Sequence, residues 1–113
     1  MSKGLLVFTE GKEVIGARIN KASCTKEKLD ISYEYKIDNV GYFGSFKATS
    51  TDGERWSGEW TDRDQKWKSF SGTADLICVH NHIRGLFYGT WASSDGKETG
   101  EWTMDIELLR GFR

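Results

Sequence analysis

Hydrophobic and polar residues alternate one for one along much of the chain. Near the C-terminus Gly100, Trp102, Met104, Ile106 and Leu108 fall on one side, and Thr99, Glu101, Thr103, Asp105 and Glu107 on the other. The segment KLDISYEYKID repeats the pattern, with Leu29, Ile31, Tyr33, Tyr35 and Ile37 opposed to Asp30, Ser32, Glu34, Lys36 and Asp38. A period of two is that of an extended strand with one buried and one wet face. Carried along the chain, it predicts eight strands, at about 4–9, 13–20, 28–37, 40–49, 54–61, 68–79, 83–93 and 98–109. No segment carries the 3.6-residue period of an amphipathic helix, so a parallel βαβ arrangement is not expected.

The connectors carry turn chemistry. Glu10-Gly11, Asp52-Gly53 and Asp95-Gly96 each offer a glycine for the positive φ of a tight hairpin. Thr61 to Lys66 (TDRDQK) and His80 to His82 read as polar turns. Lys21 to Lys28 (KASCTKEK) is the one long connector, with room for a short helical turn.

One phrase is written twice. YFGSF, a DG pair and GEWT between Tyr42 and Asp64 reappear as FYGTW, DG and GEWT between Phe87 and Asp105. Each copy reads as a hairpin of an aromatic strand, a turn and a glycine–tryptophan strand. Two copies are too few for a solenoid or propeller.

Gly44, Gly58, Gly72, Gly89 and Gly100 fall mid-strand, on the same side as the neighbouring aromatics. Glycine weakens a strand unless a sharp bend or a close approach needs it. One in nearly every strand, facing inward, implies strong coiling, and closure would remove the exposed edges of an open sheet. The expected fold is all-β: a single antiparallel up-and-down barrel of eight strands, with residues 1–113 as one domain.

Composition narrows the function classes. The chain has 113 residues, five of them Trp, no Pro, and a formal net charge of −1 with both signs interspersed. A nucleic-acid binder held by phosphate contacts needs a basic face, so no nucleic-acid partner is expected. The opening MSKGLLVFTE is not a secretory signal, and no run approaches the roughly 18 apolar residues of a membrane helix. A cytoplasmic protein with no membrane partner is the expectation. Cys24 and Cys78 fit two free thiols in a reducing compartment; a Cys24–Cys78 disulfide is the less favoured alternative, since two cysteines allow one pairing without demanding it.

Gly44-Ser45-Phe46, Gly89-Thr90-Trp91 and the DG hairpins, set in eight short meandering strands, resemble the calycin group of avidin-like and lipocalin-like barrels. The resemblance is one of architecture and implies a ligand-binding interior and, for the avidin-like members, oligomerisation. Those families carry G-x-W in the first strand, where this chain has GLLVFT. No ligand residue is therefore carried over.

By parity the inner face holds Tyr33, Tyr35, Tyr42, Phe46, Trp56, Trp60, Phe70, Phe87, Trp91 and Trp102. These rings either interlock into a filled core or line a pocket for an apolar or planar ligand, with Tyr hydroxyls and Trp indoles as polar handles. Tyr33, Tyr35, Trp56, Phe87, Trp91 and Trp102 are the candidate wall residues.

Other constellations are weaker. Cys78, His80 and His82 in CVHNHIR share a parity and are soft-metal ligand types, but a turn near His80 breaks the face, and ordinary turn histidines are the plainer reading. Asp62 and Asp64 are spaced like two calcium-loop ligands, yet lack the glycine and distal Glu of that loop, and read as a solvated turn. Glu59 and Glu101 point outward. No nucleophile elbow or phosphate-cradling loop is present, and no cofactor is expected. An enzyme is the least favoured class; His80 or His82 near Lys68 is the one place for it.

The leading expectation is a small-molecule-binding barrel. The alternative is a filled-core interaction or homo-oligomeric assembly module. Phe43, Trp67, Ile77, Val79 and Leu86, apolar with outward parity, would supply its contact face.

Overall fold

Eight strands form in the expected order: β1 (Gly4–Glu10), β2 (Glu13–Cys24), β3 (Lys28–Ile37), β4 (Val40–Thr49), β5 (Arg55–Asp64), β6 (Ser69–His80), β7 (Arg84–Ser93) and β8 (Thr99–Glu107). The structure, a computed structural model, describes residues 4–80 and 84–107. Each strand pairs antiparallel with its neighbours in sequence, and β8 pairs back onto β1 from Phe8↔Trp102 to Gly4↔Ile106. The result is a closed up-and-down barrel, with no helix among the described residues. Closure satisfies both edges of the sheet.

Gly11, Gly53 and Gly96 take φ values of 60°, 80° and 73°, as the DG and EG turns require. The β3–β4 hairpin turns instead on Asp38 and Asn39, at φ 51° and 66°. Short polar side chains are the non-glycine residues that best tolerate this region, and two left-handed residues match the twist of the strands they join.

Two expected connectors are strand. The KASCTKEK segment holds no helical turn: β2 continues to Cys24. Its register against β3 steps by one between Ile19↔Tyr33 and Lys21↔Ser32, making Asn20 a bulge. Ile15, Ala17 and Ile19 face inward before the bulge, and Ala22 and Cys24 pack against the core after it. That burial carries the strand onward. Only Thr25, Lys26 and Glu27 remain as turn, tied by the Lys28 amide donating to Thr25 Oγ1 at 3.0 Å.

Likewise TDRD is not a turn, because β5 runs to Asp64. Trp56, Gly58, Trp60 and Asp62 share its inner parity, and Asp62 is buried. The true turn is Gln65 to Lys68. There Asp64 Oδ1 accepts from the Lys66 and Lys68 amides at 2.9 and 3.0 Å, and Trp67 takes φ 66°.

The barrel interior is solid over one half of its length. Leu6, Ile19, Leu29, Ile31, Phe46, Trp56, Phe87, Met104 and Ile106 are wholly shielded from solvent there. Inward glycines let large rings lie across the neighbouring strand. A Cβ on Gly72 would stand 2.6 Å from Trp60 Cζ2, and one on Gly100 2.5 Å from Trp91 Nε1. The two copies of the repeated phrase are the β4–β5 and β7–β8 hairpins, whose turns lie at opposite ends of the barrel. Their matching glycines meet different neighbours: Gly44 faces the Tyr33 ring, whereas Gly89 faces the Asp75 backbone.

Candidate functional site

At the end where the β1–β2, β3–β4, β5–β6 and β7–β8 turns gather, the interior opens into a cavity of about 240 Å3. Its walls are Phe8, Glu10, Tyr33, Tyr35, Ile37, Tyr42, Trp60, Asp62, Phe70, Trp91, Glu98 and Trp102. Tyr33 and Trp102 are nearly inaccessible and form its inner end. An eight-stranded barrel is wide enough to be filled or to hold one small ligand. Here one half does each.

The cavity's polar centre is Asp62. Tyr33, Gly44 and Asp62 lie in one register row across β3, β4 and β5. Because Gly44 has no side chain, the Tyr33 ring passes over it and its hydroxyl donates to Asp62 Oδ1. The Tyr35 hydroxyl donates to Asp62 Oδ2. Burial pushes the Asp62 carboxyl above its ordinary range, and the two hydroxyl donors only partly offset this. The Tyr33 and Tyr35 hydroxyls are pushed far up, first by burial and then by the adjacent carboxylate, so both remain protonated donors. Among the described residues no cation pairs with Asp62.

The rings around it form a continuous lining. Tyr35 stacks on Tyr42 with centroids 5.0 Å apart and planes 8° apart, and Phe8 meets Tyr35 edge to face at 5.1 Å. Trp60 and Trp91 meet edge to face at 5.7 Å. Trp60 Nε1 donates to the Thr73 carbonyl at 3.1 Å and Trp91 Nε1 to the Thr9 carbonyl at 2.9 Å. Trp102 differs: among the described residues its buried indole nitrogen has no hydrogen-bond partner. A buried donor left unmade is costly, and native interiors hold few of them.

Glu10 and Glu98 stand at the mouth. Burial, then the charges of Glu98 and Glu13, raise the Glu10 carboxyl. Lys68 reaches over the Phe70 ring, with Nζ 5.4 Å from the centroid. The site therefore combines electron-rich ring faces, a buried carboxyl held by two tyrosines, and a rim that bears Glu10, Glu98 and the Lys68 ammonium.

Of the residues expected to form a wall, the structure brings Tyr33, Tyr35, Trp91 and Trp102 together around the cavity. Trp56 and Phe87 do not line it. They pack edge to face at 5.7 Å in the solid half, where Trp56 Nε1 donates to the Gly53 carbonyl. Asp62 is the candidate residue that composition concealed, because TDRD looks like a turn. The signal that finds it is the alternation Trp56, Gly58, Trp60, Asp62.

The solvated-turn reading of Asp62 is thus overturned, and the calcium-like pair dissolves: Asp62 is engaged by tyrosines and Asp64 by turn amides. Cys78 points into the solid half, with its thiol pushed up to about 11 by burial, while His80 is exposed and His82 lies outside the described residues. Cys24 and Cys78 are unbonded thiols, as expected. His80 ends the strand that begins beside Lys68, so the two stand at opposite ends of the barrel and share no site. Among the described residues no group of three His, Cys, Asp or Glu is placed to hold a metal.

The outward apolar residues fall in two places. Phe43 and Trp67 lie toward the cavity end, where Arg63 covers the Trp67 ring at 5.9 Å. Ile77, Val79 and Leu86 lie toward the other end on β6 and β7, joined by Tyr88.

No family model matches the chain, and no curated protein matches it in sequence. A solved structure of a redesigned β-barrel is similar to it in fold, with a TM-score of 0.64 at 14% identity, covering 94% of this chain and 88% of that one. At that identity the likeness extends to the barrel fold alone.

Proposed function

We propose that this protein is a small-molecule-binding barrel whose ligand places an apolar or aromatic body in the open half of the interior. The observation that carries the reading is the buried carboxylate of Asp62 inside an otherwise ring-lined cavity. Burying a charge away from water costs folding energy and contributes nothing to filling a core, whereas a few placed polar groups among apolar walls are what a ligand site needs. The unpartnered Trp102 N–H is a second such group. The calycin-like resemblance supports the same reading, since those barrels bind ligands inside. Trp60, Trp91 and Trp102 line the cavity, so an occupant is expected to change their emission saturably. A mouth-narrowing variant, Ile37→Trp, is expected to abolish that change. Emission that stays flat or rises only linearly across apolar and aromatic probes would sink the proposal.

A second reading, a homo-oligomeric assembly module, is favoured by one observation. Ile77 faces Tyr88 and Val79 faces Leu86 in register across β6 and β7, and all four are exposed by more than two-fifths of their surface. Sedimentation equilibrium tests it: a mass independent of concentration, reduced to the monomer by Val79→Lys, would support assembly through this face.

A further inference from the structure

We infer that the cavity's ligand is a small organic cation, an alkyl- or arylalkylammonium whose charged head lies beside Asp62 and whose apolar body rests among the rings. The inference rests on the ligand-binding reading and names the class of ligand.

Charge is the first argument. Of the twelve described residues that line it, Glu10, Asp62 and Glu98 are acids and none is Lys, Arg or His. An anionic ligand would enter against all three. A neutral ligand would leave the Asp62 carboxyl buried with only two neutral hydroxyl partners among the described residues. Buried charges are normally paired, and an ammonium supplies the missing partner.

The walls supply the second argument. Aromatic faces carry negative potential and attract cations, more strongly when water is excluded. The site already shows this preference at its rim, where the Lys68 ammonium stands 5.4 Å from the Phe70 centroid. Deeper in, Tyr35, Tyr42, Trp60 and Trp91 surround the approach to Asp62. Glu10 and Glu98 at the mouth would draw a cation inward.

Geometry sets the size. A cavity of about 240 Å3 admits one ring with an ammonium head. With Tyr33 and Tyr35 already donating to Asp62, one to each oxygen, a carboxylate retains acceptor capacity on both oxygens.

The test compares three probes of similar bulk by tryptophan-emission titration of the whole protein at neutral pH: benzyltrimethylammonium, its neutral isostere neopentylbenzene, and benzoate. The cation is expected to bind at least about tenfold more tightly than the neutral probe, and benzoate more weakly than either. Asp62→Asn, checked by circular dichroism for an intact barrel, is expected to weaken the cation by at least about tenfold and to bind the neutral probe no more weakly than the wild type does, so that the preference for the cation is lost. Neutral and cationic probes of equal affinity would overturn the cation inference and leave the binding barrel standing, and this wild-type comparison decides even if the variant fails to fold. Saturation by none of the three would overturn both.

Discussion

Tyr33 and Asp62 stand two strands apart and meet because Gly44, between them in register, has no side chain. A Cβ at Gly44 would fall on the Tyr33 ring and on Asp62 Oδ1. Gly44→Ala is therefore expected to cost about 2–4 kcal/mol, from overpacking and loss of a charge-assisted hydrogen bond, and to weaken ligand binding. Gly16 is the control. It faces solvent in mid-β2, with nothing within 4 Å of its missing Cβ. Gly16→Ala is expected to be neutral or to stabilise by up to about 1 kcal/mol, since glycine in a strand carries extra chain entropy. Urea unfolding of the two variants measures the contrast, and equal losses would contradict it.

That row also shows what was legible in the sequence. The inward parity of Tyr33 and Gly44 followed from the alternation of their neighbours, and so did the barrel, because a period of two with a glycine in most strands has few other solutions. Asp62 escaped because the composition of TDRD outweighed its position; a charged residue on an inner face breaks the pattern that locates inner faces. The half-open interior escaped for a different reason. Parity says which side a ring faces and not how far along the axis it lies, so Trp56 and Phe87, deep in the solid half, looked the same as Tyr35 and Trp91 around the cavity.

The indoles of Trp91 and Trp102 provide a matched comparison. Trp91 donates to the Thr9 carbonyl at 2.9 Å, and Trp102 donates to no group among the described residues. Replacing either by Phe removes the same atoms. Trp91→Phe also strands the Thr9 carbonyl, whereas Trp102→Phe removes an unsatisfied donor. Trp91→Phe is expected to be the more destabilising by about 1–2 kcal/mol. Thermal melts of the unliganded variants test this, and a larger loss at Trp102 would mean that its N–H has a partner in solution.

Asp62 also sets a pH dependence. Burial raises its carboxyl in the folded state above the unfolded value. The stability tied to the protonated form is fully present below the unfolded pKa of about 3.9 and is lost as pH rises through the folded value. Glu10, raised by burial and by Glu98 and Glu13, works in the same direction and is common to wild type and variant. Asn at position 62 cannot ionise. In the absence of ligand, the melting temperature of Asp62→Asn minus that of the wild type is expected to grow between about pH 4 and about pH 7. A gap that shrinks over that interval would show that Asp62 is stabilised as an anion in the empty barrel, against the burial argument.

The bulge at Asn20 yields a test of inner and outer assignment that needs no ligand. Two residues of β2, Asn20 and Lys21, face outward in succession, which keeps both Ile19 and Ala22 turned to the core. Deleting Asn20 would leave a regular ladder with Ile19 still opposite Tyr33 and Lys21 opposite Ser32. The inner set survives, and the loss is the local bend. Deleting Arg18 instead also gives a regular ladder, but one with Ile19 outside and Asn20 inside. Exposing an isoleucine and burying an unpaired amide is expected to make the Arg18 deletion worse than the Asn20 deletion by about 3–5 kcal/mol. Chemical denaturation of both deletions measures it. The exposed Arg18–Glu34 ion pair, at 2.5 Å, contributes little to the difference, because surface pairs are worth about 0–1 kcal/mol. A smaller loss on deleting Arg18 would place the bulge elsewhere in β2.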